Sequence, residues 1–268
     1  SKKHIIHVHS NIPSFKRLSF TSLFNPKKLG FYYEQRRIFK AIKNSNVTFL
    51  TIAKESFNYI TKNIGSLKAK IVLEHNAIKL DRFKKIKSNS KTDNIFKIIS
   101  IARLIDYKGH DLTIEVAQRL KELNFSFFIS IFGEGTERNH LQNLIKKKEL
   151  TEYVKLEGLT DYPENSLADS DLYFHPTKYE PFGLVLIEAM ASGVPVITTD
   201  GQGNRDIIQH RQNGLFFFNR NVEEIADAII EVKRNEVLKN KLITNGKEYA
   251  EKFGIKQYCI KLEKLYKT

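Results

Sequence analysis

Hydrophobic positions follow a strand-then-helix rhythm along most of this chain. Short apolar runs, such as residues 96–102 and 172–175, are typical of buried strands. Stretches with apolar residues three or four positions apart, such as residues 109–123, follow them and predict amphipathic helices. Regular alternation of the two indicates an α/β fold with parallel, doubly wound sheets.

Two sets of elements emerge from this pattern. The later set has predicted strands at residues 96–102, 125–132, 154–156, 172–175, 194–198 and 215–217. Its predicted helices lie at residues 109–123, 136–148, 163–170, 183–192, 204–210, 222–233, 236–253 and 255–267. The earlier set is smaller, with strands at residues 5–8, 47–52 and 69–72 and helices at residues 32–43 and 54–62.

A polar seam at residues 87–94 separates the two sets and predicts a linker. We therefore expect a first lobe at residues 1–91, a second lobe at residues 92–253 and a closing C-terminal helix at residues 254–268. Three strands make a thin doubly wound lobe. Because the chain also starts at Ser1 and its one methionine is Met190, we expect a fragment whose first lobe is incomplete.

The charge is unevenly distributed between these two parts. Residues 1–91 carry 20 Lys+Arg against 4 Asp+Glu, whereas residues 92–268 carry 24 against 26. A basic block of this size indicates either an acidic partner, such as an anionic membrane, nucleic acid or acidic substrate, or a lysine-rich solvated surface. Cys259 is the only cysteine, which excludes an internal disulfide and fits a reducing cytoplasm. No signal peptide is visible.

The richest candidate chemistry surrounds two carboxylates, Glu180 and Glu188. A predicted strand ends near His175, a loop carries Glu180, and a helix begins near Gly183. Free N–H groups and the dipole at a helix N-terminus favour a phosphate, and a carboxylate further along can bind ribose hydroxyls. Taken alone, however, a glutamate near a helix start is more often a partner for the helix dipole.

The stretch from Glu180 through seven residues to Glu188, followed by Ala-Met-Ala-Ser-Gly-Val-Pro-Val, resembles the signature of glycosyltransferase family 4. Further similarity lies in Arg103 with Lys108, in the turn Gly133-Glu134-Gly135, and in the segments at residues 74–83, 200–206 and 213–215. The chain departs from the family pattern at Ala77, Lys79 and Asp206. The resemblance implies retaining enzymes with the GT-B fold, which has two Rossmann-like lobes, and it covers nearly the whole chain.

The resemblance also implies roles for individual residues. Arg103 and Lys108 would clamp the diphosphate of a UDP-sugar or GDP-sugar donor, and Glu180 would face the donor sugar. Glu188 would bind the ribose. The remaining binding residues are Gly133 and Leu159 beside the nucleotide, and the backbone amides of Phe182, Gly183 and Leu184. No Asp-x-Asp run is present, so we expect a metal-independent enzyme without a cofactor.

Histidine supplies the one catalytic candidate in the first lobe. His9 ends a predicted strand and occupies a place where this family has a histidine facing the donor sugar. His7 shares a strand face with His9, so His9 is preferred without excluding His7. Nearby, residues 14–33 interleave aromatic and basic side chains, a pattern that suits either an anionic membrane surface or a loop packed under the lobe.

Three functions follow as hypotheses. The leading one is a glycosyltransferase of surface polysaccharide or glycolipid assembly, located in the cytoplasm and peripherally on the inner face of the membrane. Its acceptor would be a saccharide or a lipid-linked sugar. The first alternative is a nucleotide-sugar-binding fragment that lacks activity, and the second is a nucleic-acid binder, which the signature region disfavours.

Overall fold

The computed structural model describes residues 4–8, 47–64, 69–84 and 95–267. Contacts divide the chain into two compact units, Ser1–His75 and Asn76–Thr268. In the described part, no helix is long and apolar enough to cross a membrane. The predicted helix at residues 32–43, the seam at residues 87–94 and the aromatic–basic segment at residues 14–33 lie outside the described residues.

The first unit contains a parallel sheet in the order β1-β2-β3. Its strands and helix are β1 (His4–Val8), β2 (Val47–Thr51), α1 (Lys54–Ile64) and β3 (Lys70–Leu73). The side chains of Val8, Val47, Phe49 and Ile60 form its buried cluster. Strand β2 is buried along its whole length, as expected for a central strand covered on both faces.

The second unit contains a six-stranded sheet, built from β4 (Phe96–Ile101), β5 (Phe127–Phe132), β6 (Val154–Gly158), β7 (Leu172–His175), β8 (Val196–Thr199) and β9 (Leu215–Phe217). All neighbouring strands are parallel, in the order β6-β5-β4-β7-β8-β9. The strand order therefore reverses between β4 and β7. This α/β architecture agrees with the predicted parallel, doubly wound fold.

Eight helices of the second unit accompany this sheet in the described residues. They are α2 (Leu80–Lys84), α3 (His110–Glu122), α4 (Arg138–Lys147), α5 (Pro163–Ala168), α6 (Leu184–Ala191), α7 (Val222–Arg234), α8 (Glu236–Ala250) and α9 (Ile255–Lys267). Apolar faces of α3, α4, α7 and α8 join strand residues in one buried core. The sheet is thus held rigid under the loops that follow its strands.

The segment before the predicted boundary at residues 91/92 belongs, by its contacts, to the second unit. Ile78 donates its N–H to the Phe253 carbonyl, and its own carbonyl accepts from Ile255 N–H, both at 2.9 Å. Phe83 of α2 is buried as well. These bonds tie residues 76–84 to the turn between α8 and α9. The boundary between the two units therefore lies between His75 and Asn76.

The predicted helix at residues 204–210 is replaced by a single 3₁₀ turn at Gly203–Asp206. The buried amide of Asn204 donates to Thr198 Oγ1 at 2.8 Å and to the Thr199 carbonyl at 2.9 Å. These bonds tie the segment to the end of β8. Side-chain bonds to nearby backbone compete with helix formation in this way.

Gly133 lies where the ends of β4 and β5 approach each other. Its φ is +143°, and a Cβ built there would lie 1.9 Å from the Ala102 carbonyl oxygen. The Gly133 N–H donates to the Gly158 carbonyl at 2.7 Å. Because both contacts involve backbone, neither neighbour can move aside as a flexible side chain would.

We therefore expect Gly133→Ala to lower the free energy of unfolding by roughly 1–3 kcal/mol, since the strained φ and the clash both oppose it. Gly158→Ala is the matched control. It shares a positive φ of +82°, but its nearest neighbour would be Glu134 Oε1 at 3.4 Å. Urea unfolding of the two variants isolates the clash, and equal losses in both would show that the Ala102 contact is unimportant.

Candidate active site

The candidate site lies at the carboxyl ends of β4 and β7, where the strand order reverses. In open α/β sheets, ligands bind in the crevice at such a switch point. The segment with Arg103 and Lys108 follows β4, and the loop with Glu180 follows β7. The topology therefore places the side chains of both segments at one edge of the sheet.

An ion pair joins the two segments. Lys108 Nζ lies 2.7 Å from Glu180 Oε2, and the two side chains are 11% and 13% exposed. His175, which ends β7, places its Nε2 atom 3.0 Å from the same Oε2. Two groups thus converge on one oxygen of Glu180, and within the described part of the chain no partner contacts Oε1.

These contacts fix the charge of Glu180. Burial raises the pKa of its carboxyl, but the hydrogen bond from His175 and the positive charge of Lys108 outweigh that effect and lower the pKa to about 2. Burial lowers the pKa of His175, against the opposing pull of Glu180. At neutral pH the site therefore holds a carboxylate beside a neutral imidazole.

The backbone of the Glu180 loop is fixed by the carbonyl of Tyr107. That oxygen accepts from Lys178 N–H at 2.8 Å, from Tyr179 N–H at 3.2 Å and from Thr177 Oγ1 at 3.1 Å. Because Tyr107 immediately precedes Lys108, the same bonds that shape the loop also bring the lysine to Glu180.

On its other side, Glu180 pairs with the glycine-rich segment after β8. Its N–H donates to the Gly201 carbonyl at 2.7 Å, and its carbonyl accepts from Gly203 N–H at 2.9 Å. A Cβ at Gly203 would lie 2.4 Å from the Pro181 carbonyl oxygen. This close approach explains why the chain has glycine there, independently of any ligand.

Arg103 is exposed at the mouth of the crevice. Its Nη2 atom donates to the Tyr107 hydroxyl at 2.7 Å, and no carboxylate of the described residues pairs with it. Tyr107 packs edge-on against Tyr179, with ring centroids 6.2 Å apart. The guanidinium is therefore held at the crevice with donors left over, since it carries five N–H groups.

The first turn of α6 opens towards the same end of the sheet. Gly183 precedes it with φ +103°, and no side chain caps the helix. The Phe182 side chain is buried and packs against Phe253, so only its backbone is available to a ligand. The predicted contribution of Phe182, Gly183 and Leu184 through their amides is compatible with this arrangement, because first-turn N–H groups lack partners within a helix.

Glu188 lies further along α6, near an ion pair that the sequence did not indicate. Arg82 of α2 contacts Glu164 of α5 at 2.7 Å and donates to the Asp161 carbonyl at 2.8 Å. Burial raises the pKa of Glu188, the Arg82 charge opposes this, and Glu164 adds to it. Across the described residues, no donor bonds to its carboxylate, which leaves both oxygens available.

The other predicted site residues are not brought into this cluster by direct contacts. Gly133 meets the Ala102 carbonyl, one residue before Arg103. Leu159 is 78% exposed after β6, and His9 lies outside the described residues. Among the residues that the structure describes, no group of three or more His, Cys, Asp or Glu side chains is arranged to hold a metal ion.

Two contributors were missed by the sequence reasoning. His175 could have been suspected, because it ends a predicted strand five residues before Glu180. Arg220 gave no signal. Its guanidinium donates to the Pro176 carbonyl at 2.6 Å and to Asp111 at 2.9 Å. It thereby braces the residue after β7 against the start of α3.

Comparisons with known proteins identify the family to which this chain belongs. A family model described as "Glycosyl transferases group 1" matches residues 81–249, which is more than half of the chain. This match includes Arg103, Lys108, Glu180 and Glu188.

Two curated relatives act on different glycans. The poly(ribitol-phosphate) alpha-N-acetylglucosaminyltransferase of Staphylococcus aureus is 32% identical over 200 residues, covering 69% of this chain and 41% of that protein. The lipopolysaccharide core biosynthesis glycosyltransferase LpsE of Rhizobium meliloti is 28% identical over 151 residues, covering 56% of this chain and 43% of that protein. The chain therefore spans about two fifths of each relative.

A solved structure shows the same fold. A mutant of S. aureus TarM, in complex with fondaparinux, alpha-GlcNAc-glycerol and UDP, superimposes with a TM-score of 0.76 and 25% identity. The superposition covers 99% of this chain and 50% of that one. The two units of the present chain thus match parallel-sheet lobes of a GT-B glycosyltransferase.

The lowered pKa of Glu180 generates a prediction about stability and pH. A carboxyl whose folded-state pKa lies below the ordinary 4.5 stabilises the fold above pH 4.5, and that contribution is lost as the pH falls towards about 2. We expect the stability advantage of the wild type over Glu180→Gln, measured by urea unfolding, to be smaller at pH 3.5 than at pH 7, by roughly 1–2 kcal/mol. An advantage that does not change between these two pH values would contradict the ion pair.

Proposed function

The chain belongs to the glycosyl transferases group 1, and from that membership we propose that it is the donor-binding part of a retaining, metal-independent glycosyltransferase of glycosyltransferase family 4. It transfers a sugar from a nucleoside-diphosphate donor to a saccharide or lipid-linked acceptor. Because the chain covers only part of its relatives, transfer by this chain is itself part of the proposal.

One observation carries the proposal: a partly buried carboxylate, its lysine partner and an arginine without a carboxylate partner in the described residues lie beside an uncapped helix N-terminus. This combination suits a ligand with a diphosphate at one end and a reacting sugar carbon at the other. Arg103 and the first amides of α6 supply donors for phosphate oxygens. Lys108 Nζ has three donors, of which Glu180 takes one.

Transfer of the sugar requires charge to move in a definite direction. As the glycosidic bond breaks, the departing nucleoside diphosphate gains negative charge, and positive charge develops at the sugar carbon. Arg103, Lys108 and the α6 amides stabilise the first charge, and the ionised Glu180 stabilises the second. Fixed groups of this kind are most effective where water is excluded, and loss of one donor costs about 3 kcal/mol of barrier in known cases.

A UDP-sugar is the donor that the comparisons favour, because a solved structure at 25% identity holds UDP. A GDP-sugar remains the second donor to test. The staphylococcal relative is named for an alpha linkage, which is the outcome of retention when the donor sugar is α-configured. Glu188, with two available oxygens, is the proposed partner of the ribose hydroxyls, and Leu159 and Gly133 border the nucleotide.

Acceptor and location follow from the same relatives. One is named for a poly(ribitol-phosphate) and the other for a lipopolysaccharide core, so assembly of a surface polysaccharide or glycolipid is the proposed process. We propose that it takes place in the cytoplasm, with the basic residues 1–91 contacting an anionic membrane. His9, with His7 as the alternative, stays a predicted catalytic residue of the first unit.

The second candidate is a nucleotide-sugar-binding unit without transfer activity. It would use the same residues for binding. We consider it because the chain spans only about two fifths of the length of its two curated relatives. Release of UDP from a UDP-sugar, in water and with candidate acceptors, distinguishes the two candidates. Binding without release supports the second.

Binding is tested by calorimetry with UDP-N-acetylglucosamine, UDP-glucose and GDP-mannose, with and without EDTA. We expect a UDP-sugar to bind, EDTA to have no effect, and Arg103→Ala to weaken binding about tenfold or more, since a charged hydrogen bond to phosphate contributes about 1.5–3 kcal/mol.

Arg119→Ala is the matched control, because the Arg119 side chain is 36% exposed and pairs with Glu122 on α3. Equal affinity of the Arg103 variant and the wild type for the nucleotide sugar would contradict the role of Arg103 in binding the diphosphate. Failure of every nucleotide sugar to bind would remove the proposed function.

A further inference from the structure

His175 is buried under Glu180 in a position that no catalytic assignment above explains. Its side chain is 1% exposed, and its ring stacks on Tyr173 with centroids 5.9 Å apart and an interplanar angle of 21°. Both residues belong to β7, two positions apart on the same face. The ring is therefore fixed by the strand and cannot turn away from Glu180 without breaking this packing.

The two ring nitrogens have different neighbours. Nε2 lies 3.0 Å from Glu180 Oε2, whereas Nδ1 lies 3.3 Å from the Tyr173 hydroxyl. The single proton of that hydroxyl can be donated either to Nδ1 or to the Ile101 carbonyl, which lies 3.1 Å away. A carboxylate can only accept, so a hydrogen bond to Glu180 requires the proton on Nε2 and leaves Nδ1 as an acceptor facing the tyrosine.

The consequence concerns Glu180. Lys108 Nζ and His175 Nε2 both approach Oε2, and this pair of contacts sets the rotation of the carboxylate. The other oxygen, Oε1, has no hydrogen-bond partner among the described residues and is the one left for a ligand. A single contact from the flexible lysine would leave that rotation free, whereas the second contact, from a ring fixed on a strand, removes the freedom.

We propose that His175 is a positioning residue for the transfer reaction: its Nε2–H holds Glu180 Oε2 so that Oε1 faces the donor sugar. The catalytic role of His175 rests on the proposed function, whereas the hydrogen bond between His175 and Glu180 does not. Tyr173 supports it by stacking on the ring and by offering its hydroxyl proton to Nδ1. His175 does not touch the substrate and acts only through Glu180.

The hydrogen bond is tested without any ligand. Long-range ¹H–¹⁵N correlation spectra at neutral pH report which nitrogen of each histidine carries the proton, and the signals missing from His175→Gln assign the ring. We expect the proton on Nε2. A ring protonated at Nδ1 alone would overturn the inference, whether or not the chain binds nucleotide sugars.

The role in the reaction is tested by comparing His175→Leu with His175→Gln, whose amide places a donor near the position of Nε2. The readouts are the Kd of UDP and the rate of UDP release from UDP-N-acetylglucosamine. We expect His175→Leu to slow release about 10- to 100-fold, because a misplaced catalytic group is costly. The Kd of UDP should stay within about threefold, and the Gln variant should recover most of the rate.

His210→Leu is the matched control, since His210 also uses a ring nitrogen, accepting from Phe216 N–H at 3.1 Å, and does not contact Glu180. Equal rates for His175→Leu and the wild type, or equal losses in the Leu and Gln variants, would overturn the positioning role. If the wild type neither binds nor turns over the donor, the proposed function fails, and the proton position still decides the hydrogen bond.

Discussion

The candidate site depends on one constraint, the partly buried ion pair of Lys108 with Glu180. Two opposite charges taken out of water must be held close, because an isolated buried charge would be strongly destabilising. The sheet brings them to one edge, since β4 and β7 are neighbours although they are distant in sequence. The carbonyl of Tyr107 then sets the distance between Lys108 and Glu180. Tyr107 precedes Lys108 in the chain, and its carbonyl accepts hydrogen bonds from the loop that carries Glu180.

This ion pair divides the charged side chains of the site into two sets with different roles. Lys108 and His175 keep Glu180 ionised and oriented, while Arg103 remains exposed at the crevice with only the Tyr107 hydroxyl as its partner in the described residues. Glu188 has a different environment, in which burial raises the pKa of its carboxyl. Two glutamates that look equivalent in the sequence therefore have opposite pKa shifts. Such divergence is a common feature of sites with distinct acidic roles.

Much of the fold could be predicted from the sequence, because the sheet is buried and its strands are apolar runs. The strand at residues 172–175 has the predicted bounds, and those of β4 and β5 differ by one or two residues. Two short elements were missed or wrong. Helix α2 has only five residues, too few for a periodic pattern, and the 3₁₀ turn at Gly203–Asp206 depends on bonds made by a buried Asn204.

Part of the site could also be predicted, because its residues follow apolar strands that the sequence pattern reveals. The order of motifs placed Arg103, Lys108 and Glu180 after strands of one sheet, and the resemblance supplied their expected roles. The contact of His175 with Glu180 was not predictable, because it depends on how the intervening loop folds back. The ion pair of Arg82 with Glu164 joins residues far apart in sequence, so no local pattern could reveal it.

A crystal structure of this chain with a bound UDP-sugar tests the central claim most directly. The account predicts the diphosphate between Arg103 and the first turn of α6, the ribose at Glu188, and the sugar beside Oε1 of Glu180, with the Lys108 and His175 contacts to Oε2 retained. A nucleotide bound away from the switch point between β4 and β7, or a Glu180 that turns Oε2 to the sugar, would contradict it.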